Sequence, residues 1–202
     1  MEMEMEMEKE MAMEMAMQIY PGFQAKYTDK YVTVYQAFNH SIANEIEETG
    51  TFGPSFKFDR MTWIKPSFLW MMYRCGWGSK SGQERIFSIN ISREGFDHII
   101  SKAVLTKYKP KIHSSSAEWK KELDASDIIV QFDPDRDIYG DKLDRKAIQL
   151  GLRGDAVEKY VKKWITDIHD ITGTVREWKL LINSGQFNNE LLPNEKTYNS
   201  KW

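Results

Sequence analysis

The fold is decided by the stretch Arg60-Met61-Thr62-Trp63-Ile64-Lys65-Pro66-Ser67-Phe68-Leu69-Trp70-Met71-Met72-Tyr73-Arg74-Cys75-Gly76-Trp77. Its first five residues have the composition of a strand, and residues 68–74 that of an apolar helix. Pro66 suits the start of this helix, because the first turn does not need its N–H group. Gly76 can end the helix in the left-handed conformation. The stretch therefore predicts a strand that leads directly into a helix.

Aromatic and basic side chains are interleaved in this stretch, which allows two interpretations. As the wall of a cleft, it would bind a flat anionic ligand, since cations contact phosphates and aromatic rings stack on a base. As a core strand and a core helix, it would bury the rings and let the long polar side chains reach outward. The sequence supports both.

Composition sets limits on the class of protein. The net charge of −2 divides into −5 over residues 1–17, which hold six Glu and one Lys, and +3 over residues 18–202. This basic excess permits a phosphate-bearing partner but is small for a dedicated nucleic-acid binder. The single cysteine excludes an internal disulfide and fits a reducing compartment. No apolar run reaches the length of a membrane span, and the N-terminus lacks a signal-peptide core. We expect a cytoplasmic protein with no membrane partner, and composition does not predict its oligomeric state.

The chain divides into three parts by composition. Residues 1–18 form a low-complexity tail in which Met alternates with Glu. Residues 19–183 have the length and patterning of a single globular domain. Residues 184–202 are polar and are predicted to form a C-terminal tail.

Hydrophobic patterning predicts an α+β fold. Strands are expected at 31–38, 87–91, 127–132 and 145–153, and helices at 94–104, around Trp119 and at 155–168. Residues 171–178 suit either a strand or a helix. The acidic run 133–137 is interpreted as a solvated turn rather than a cation site. Because the strands alternate apolar and polar residues, we expect mixed, largely antiparallel sheets flanked by helices.

The strand at 145–153 has one polar face. Arg145, Gln149, Gly151 and Arg153 point to the same side, opposite Ile148 and its apolar neighbours. Since glycine has no side chain, this face is predicted to leave room for a ligand.

Several kinds of chemistry are not indicated. The sequence has no phosphate-binding glycine loop and no dinucleotide fingerprint. The four histidines are scattered, so no metal site is expected. Cys75 lies within the aromatic helix, where a buried, inert thiol is favoured over a nucleophile. The remaining polar groups suit the binding and orientation of a phosphate or carboxylate.

Five blocks of sequence resemble an uncharacterised family, domain-of-unknown-function family 4291. The likeness extends over residues 31–172, and it implies no established activity. The blocks are residues 34–38, 60–77, 83–85, 131–137 and 145–154.

A second resemblance, at the level of architecture, is to mono-ADP-ribosyltransferases. Residues 34–38 look like the first strand of that family, residues 62–73 like its second strand with a following aromatic helix, and residues 145–152 like its late catalytic strand. The resemblance implies an ADP-ribosyltransferase-like fold and NAD as the cofactor. Gln36 stands where that family has His or Arg, and Gln149 stands where it has a catalytic Glu. A glutamine can hydrogen-bond a ribose hydroxyl but cannot accept a proton.

These observations predict an NAD- or nucleotide-binding enzyme that transfers ADP-ribose to an acceptor, for which nucleic acid is one candidate. The expected catalytic residues are Gln149, Arg60 and Gln36. The expected cofactor-binding residues are Tyr35, Thr62, Trp63, Lys65, Ser67, Tyr73 and Arg74. The expected substrate-binding residues are Arg145, Arg153, Lys80 and Glu84.

Two alternatives remain open at this stage. A non-catalytic module for RNA or single-stranded nucleic acid also needs aromatic rings beside Arg and Lys. A plain interaction domain would instead expose its tryptophans as a patch for a protein partner.

Overall fold

The computed structural model describes residues 22–198. The predicted Met/Glu tail, residues 1–18, lies outside the described residues, as do residues 199–202. The strands are β1 (Phe23–Ala25), β2 (Tyr31–Phe38), β3 (Thr62–Ile64), β4 (Arg85–Ser92), β5 (Val104–Leu105), β6 (Ile128–Arg136), β7 (Lys142–Leu152), β8 (Ile165–Asp170) and β9 (Lys196–Tyr198). The α-helices are α1 (His40–Thr49), α2 (Phe68–Cys75), α3 (Arg93–Lys102), α4 (Ser116–Ala125), α5 (Asp155–Lys159) and α6 (Thr172–Asn183). A π-helix (Tyr160–Trp164) continues α5, and a 3₁₀ helix (Asn189–Leu191) precedes β9.

The strands form two sheets. The larger is mixed and has six strands in the order β5-β6-β7-β1-β9, with β3 also paired to β7. Its β5–β6 and β1–β7 pairs are parallel, and its other pairs are antiparallel. The smaller sheet is antiparallel in the order β2-β4-β8. The predicted α+β class with mixed and antiparallel sheets is thus confirmed, while the ADP-ribosyltransferase-like assignment stays a prediction.

Backbone hydrogen bonds between Tyr35 and Lys65 bridge the two sheets. Tyr35 of β2 donates its backbone N–H to the carbonyl of Lys65 at 2.8 Å, and Lys65 returns a bond of 3.3 Å. Apolar side chains from both sheets form one core, in which Val34 and Ile89 of the small sheet join Ile148 and Leu150 of the large one. Tyr35 and Lys65, which link the sheets, are therefore also two of the predicted cofactor-binding residues.

Helix α2 follows β3 as the sequence predicts. Ser67 is its N-cap residue, so Pro66 lies just before the helix rather than in its first turn. Gly76 ends it with φ 59°, in the left-handed region, as predicted. Phe68, Met71 and other apolar residues of α2 pack with Tyr35 in a second, smaller core cluster. Most of the apolar side chains of α2 are therefore core residues.

The predicted helix at 155–168 is wrong in its last third. The α-helix ends at Lys159, five residues of π-helix follow, and the chain then becomes β8, which pairs with β4. Ile168 lies opposite Ile89. The spacing of the apolar residues does not by itself distinguish a continued helix from a strand. Residues 165–170 form a strand because their backbone groups can hydrogen-bond to the free edge of β4.

The segment predicted as a polar C-terminal tail is part of the folded structure as far as residue 198. Strand β9 pairs with β1, placing Tyr198 opposite Phe23, and Tyr198 is buried. The rings of Tyr198 and Phe23 stack with their centroids 5.4 Å apart. One aromatic residue thus anchors an otherwise polar segment.

The predicted turn at 133–137 is for the most part strand. Strand β6 runs to Arg136, so Asp133 and Asp135 lie within the sheet. Within residues 22–198, no helix is both long and apolar enough to cross a membrane.

Candidate anion-binding site on the large sheet

A row of polar side chains crosses three neighbouring strands of the large sheet. Gln131 of β6 lies opposite Gln149 of β7, and Ile64, the last residue of β3, lies opposite Leu150. Because β3 runs antiparallel to β7, Lys65 comes next to Gln149 on the same face. Asp133, two residues beyond Gln131, is on that face as well. We call Lys65, Gln149, Gln131 and Asp133 the polar row.

Asp133 organises the two glutamines of the polar row. Gln131 donates from Nε2 to both carboxylate oxygens of Asp133 at 3.0 Å, and Gln149 Nε2 donates to Oδ2 at 3.1 Å. Both amides therefore have their N–H side directed at the carboxylate. Their carbonyl oxygens are the groups that remain to accept a hydrogen bond.

Lys65 is a buried cation with little to neutralise it. Only 8% of its surface is exposed, and Nζ reaches the carbonyl of Trp63 at 3.4 Å. Among residues 22–198, no carboxylate forms an ion pair with it. The pKa of Lys65 is lowered to about 8, first by burial and then by the charge of Arg74, and Cys75 and Asp133 only partly oppose this. A desolvated ammonium beside a second cation is costly to maintain, and such arrangements are concentrated at functional sites.

The face of β7 next to the polar row is not open, contrary to the prediction from Gly151. A Cβ at Gly151 would lie 2.7 Å from Met61 Sδ, 2.9 Å from Ile129 Cγ1 and 3.1 Å from a ring carbon of Trp63. The absence of a side chain there lets Trp63 pack against the sheet. Glycine marks a close approach of neighbouring side chains instead of space for a ligand.

Gln36 lies between the sheets, where its amide is fully engaged. Its Nε2 donates to Thr62 Oγ1 at 2.7 Å and to the Trp63 carbonyl at 3.3 Å, while its Oε1 accepts from the Tyr160 hydroxyl at 2.7 Å. Only 4% of Gln36 is exposed. Gln36 and Thr62, both predicted site residues, are therefore joined to each other in the core.

The two predicted arginines, Arg145 in β7 and Arg153 directly after it, have different partners. Arg153 donates to the carbonyls of Leu123, Asp124 and Ser126, which end α4, at 2.7–2.9 Å. Arg145 donates to the buried carboxylate of Asp135 at 2.7 Å. Neither guanidinium joins the polar row.

The exposed end of α2 carries two of the predicted residues. The Tyr73 ring lies 4.1 Å from the guanidinium carbon of Arg136, and it stacks on Trp70 with centroids 5.6 Å apart. Arg74 lies over Trp70 at 5.9 Å and is exposed. This end of α2 therefore brings cations and rings together at the rim of the polar row, where Arg74 acts electrostatically on Lys65.

The remaining predicted residues have local structural contacts. Lys80 Nζ donates to the Arg74 carbonyl at 2.6 Å, and Glu84 accepts from the Gly82 amide at 2.7 Å. Ser67 Oγ donates to the Gln24 carbonyl at 2.9 Å. The Tyr35 ring contacts Phe68 edge-on with centroids 5.3 Å apart. Arg60 is exposed in the turn before β3.

Glu195, which the sequence did not indicate, occupies the start of α2. Its Oε1 accepts from the backbone N–H of Phe68 at 2.6 Å. Burial raises the pKa of Glu195 to about 8; the bond from Phe68 opposes this, Asp135 adds to it and Arg145 opposes it. A cavity of about 160 Å³ lies beside it, lined in part by Gln24 and Arg145. Glu195 replaces the side-chain cap that Ser67 does not provide.

Gln131 and Asp133 are the residues that sequence reasoning missed in the polar row. The signal was the alternation of Gln131, Asp133 and Asp135 with Phe132 and Pro134, which is a strand pattern. Within residues 22–198, no group of three or more His, Cys, Asp and Glu side chains is arranged to hold a metal ion.

Fold and site together define a class: an α+β protein with a mixed sheet, a separate antiparallel sheet and a buried lysine where the two sheets meet. The chain belongs to the family described as domain of unknown function DUF4291, whose model matches residues 22–198. This confirms the first of the two resemblances. No curated protein matches the chain in a sequence comparison.

Proposed function

We propose that the polar row, together with Arg74, binds the phosphate-bearing part of a nucleotide such as NAD, and that the protein is an enzyme of ADP-ribosyltransferase-like type. The observation that supports this is Lys65: a buried cation without an ion pair, next to a second cation. A phosphate would give the ammonium a charged partner and remove the repulsion from Arg74. Binding energy is then obtained from a site that is electrostatically unfavourable when empty.

The other groups of the row suit a nucleotide better than a bare anion. Gln131 and Gln149 have carbonyl oxygens that can accept hydrogen bonds from ribose hydroxyls. The Tyr73 ring at the rim already stacks on Trp70 and contacts the Arg136 guanidinium, so it has no stacking role in this arrangement. Gln36 has no role in this arrangement, because its amide is committed to Thr62, Trp63 and Tyr160.

The chemical step would need a base other than Gln149 or Lys65. In ADP-ribosyl transfer the bond between nicotinamide and the ribose breaks, the acceptor bonds to the same ribose carbon, and the proton of the acceptor must go to a base. Gln149 cannot take that proton, and neither can a Lys65 ammonium that is paired with a phosphate. The Asp133 carboxylate is the group of the polar row that can accept it.

Calorimetric titration with NAD, ADP-ribose, ATP and nicotinamide tests the nucleotide claim. We expect the first three to bind and nicotinamide alone to bind far more weakly, because it has no phosphate. Lys65→Met should lower the affinity about 10- to 150-fold, the cost of losing one charge-assisted hydrogen bond.

The matched control is Lys57→Met, which removes an exposed lysine from the loop before β3 and should leave the affinity unchanged. No heat with any phosphate-bearing ligand would refute the proposal. Equal losses in the two variants would show that general charge, and not Lys65, is responsible.

The alternative of nucleic-acid binding through the stretch at residues 60–77 receives little support from its geometry. Trp63 packs over Gly151, and Trp70 is only 4% exposed. The Phe68 ring is enclosed by Trp77 and Trp178, with centroids 6.1 and 5.6 Å away. Few ring faces in this stretch are available for base stacking.

A further inference from the structure

We propose that a second surface, formed by the loop at residues 106–114 and helix α4, binds single-stranded nucleic acid. We call it the basic edge, because it follows β5 at one edge of the large sheet. It shares no residue with the polar row, and the proposal does not depend on the nucleotide site.

The loop of the basic edge carries as much net positive charge as the whole domain. Residues 106–114 contain three Lys and no acidic residue, a net charge of +3, which equals the net charge of residues 18–202. Helix α4 adds two Lys but also two Glu and one Asp, so the positive charge of this surface lies in the loop. Lys107 and Lys111 are exposed. A locally positive surface of this kind attracts a phosphate backbone.

Three aromatic rings lie among these lysines. The centroids of Tyr108, His113 and Trp119 are 5.7, 6.0 and 6.2 Å apart pairwise, and all three rings are partly exposed. Trp119 Nε1 donates to the Leu105 carbonyl at 2.8 Å, and His113 Nδ1 accepts from the Lys109 amide at 2.9 Å. His113 and Trp119 are thus held in place by hydrogen bonds to the backbone, and Tyr108 packs against both of them.

A cavity of about 270 Å³ adjoins the rings. It lies just below the range of about 300–1,000 Å³ that is usual for a small-molecule site, so it suits one base better than a whole ligand. Ile112 and Trp119 give it apolar walls, and Glu118 and Glu122 give it carboxylates. Carboxylates accept hydrogen bonds from the exocyclic amino groups of bases.

This combination favours a single strand over a duplex. Base stacking on aromatic side chains requires unpaired bases, which a duplex does not offer. The carboxylates in the cavity also disfavour an anionic lipid surface, for which lysines alone would be enough.

Fluorescence anisotropy with a short labelled oligocytidylate, whose bases carry an exocyclic amino group, tests the proposal on the full chain without nucleotide. We expect binding that weakens as salt rises from about 50 to about 200 mM. The double variant Lys107→Ala, Lys111→Ala should reduce the slope of log affinity against log salt by about 1.4, since each phosphate contact on a single strand contributes about 0.7. Tyr108→Ala should weaken binding about 5- to 150-fold at constant salt, the range for losing one stacked base.

The control is the double variant Lys162→Ala, Lys163→Ala, which removes two exposed lysines of the π-helix and should change neither affinity nor slope. Three results would overturn the proposal: no binding at about 0.1 mM protein and low salt, equal losses in the two lysine variants, or tighter binding to duplex or to anionic vesicles. Because the lysine substitutions are on the surface, this test holds even if Tyr108→Ala does not fold.

Discussion

Lys65 and Glu195 are two buried ionisable residues near α2, and their environments differ in one respect. Burial moves both pKa values to about 8, upward for the carboxyl group and downward for the ammonium. Glu195 accepts a hydrogen bond of 2.6 Å from the first N–H of α2. Lys65 has one hydrogen bond, to a carbonyl at 3.4 Å, and the opposing charge of Arg74, which Cys75 and Asp133 offset only in part.

This difference separates a structural group from a candidate functional one. Glu195 satisfies a helix N–H that would otherwise be unpaired, so its burial has a clear purpose in the fold. Nothing comparable offsets the burial of Lys65 among the residues that the structure describes. We infer that the cost of burying Lys65 is retained because a ligand offsets it, as stated in the proposed function.

The largest effect is expected in the pH dependence of stability, to which the raised pKa of Glu195 contributes. Its pKa is about 4.5 when unfolded and about 8 when folded, so the folded protein binds the extra proton between these values. Stability should therefore fall as pH rises from about 4.5 to 8, by up to about 5 kcal/mol for a fully realised shift. Urea titrations at several pH values give the free energy of unfolding of the wild type and of Glu195→Gln. The difference between these two free energies at each pH measures the contribution of Glu195.

The control for the pH series is Glu177→Gln on the exposed side of α6, which should parallel the wild type. If Glu195→Gln also parallels the wild type, Glu195 ionises normally and the contrast with Lys65 disappears.

The second test is Lys65→Met, which should stabilise the protein while it weakens nucleotide binding. In the wild type the pKa of Lys65 is about 8 when folded, against 10.5 when unfolded, so the folded state disfavours the charged form. Below pH 8 this costs about 3 kcal/mol, and the cost is relieved as pH rises towards 10.5. The variant should exceed the wild type in free energy of unfolding at pH 7, and the gap should close over that pH range.

Opposite results from Lys65→Met would be informative. A loss of stability at pH 7 would mean that Lys65 has a stabilising role in the fold, and the inference of a functional cation would fail. Lys57→Met provides the baseline for losing an exposed lysine.

How much of this could be predicted depends on whether a residue's partner is local in sequence. Strand β2 was predicted with its observed bounds, and so was the left-handed Gly76, because alternation and the glycine are local signals. The polar row was only half predicted. Lys65 and Gln149 were named, but Asp133 was assigned to a solvated turn together with the rest of the acidic run 133–137.

Pro134 shows why that prediction failed. Strand β5 pairs with β6 only as far as Val130, so beyond that point β6 is an edge strand on this side. An edge strand tolerates proline, whereas a central strand does not. The edge is created by a short strand more than twenty residues earlier in the chain, which local reading cannot detect. Glu195 was missed for the same reason: its partner Phe68 is 127 residues away.

The third test compares two replacements of Glu195. Leu removes the acceptor and leaves the Phe68 N–H unpaired in a partly buried site, so Glu195→Leu should be about 2 kcal/mol less stable than Glu195→Gln. Gln keeps an acceptor oxygen in the same place, and because neither variant has an ionisable group at this position, the difference between them should not depend on pH. If the two variants are equally stable, the helix N–H finds water instead, and the bond to Glu195 contributes little.

The smallest effect on stability is expected from Arg74→Ala. This variant tests most directly what lowers the pKa of Lys65. Arg74 is exposed, so solvent screens its charge and the change in overall stability should stay below about 1 kcal/mol. The pKa of Lys65 should nevertheless rise, because the main opposing charge is gone while burial remains. NMR titration of ¹³C-dimethylated lysines follows the pKa of Lys65 directly.

The control is Arg60→Ala, which removes an exposed arginine from the turn before β3 and should leave the titration midpoint of Lys65 unchanged. A midpoint that moves equally in both variants would point to the net charge of the domain, and one that moves in neither would leave burial as the sole cause of the shift.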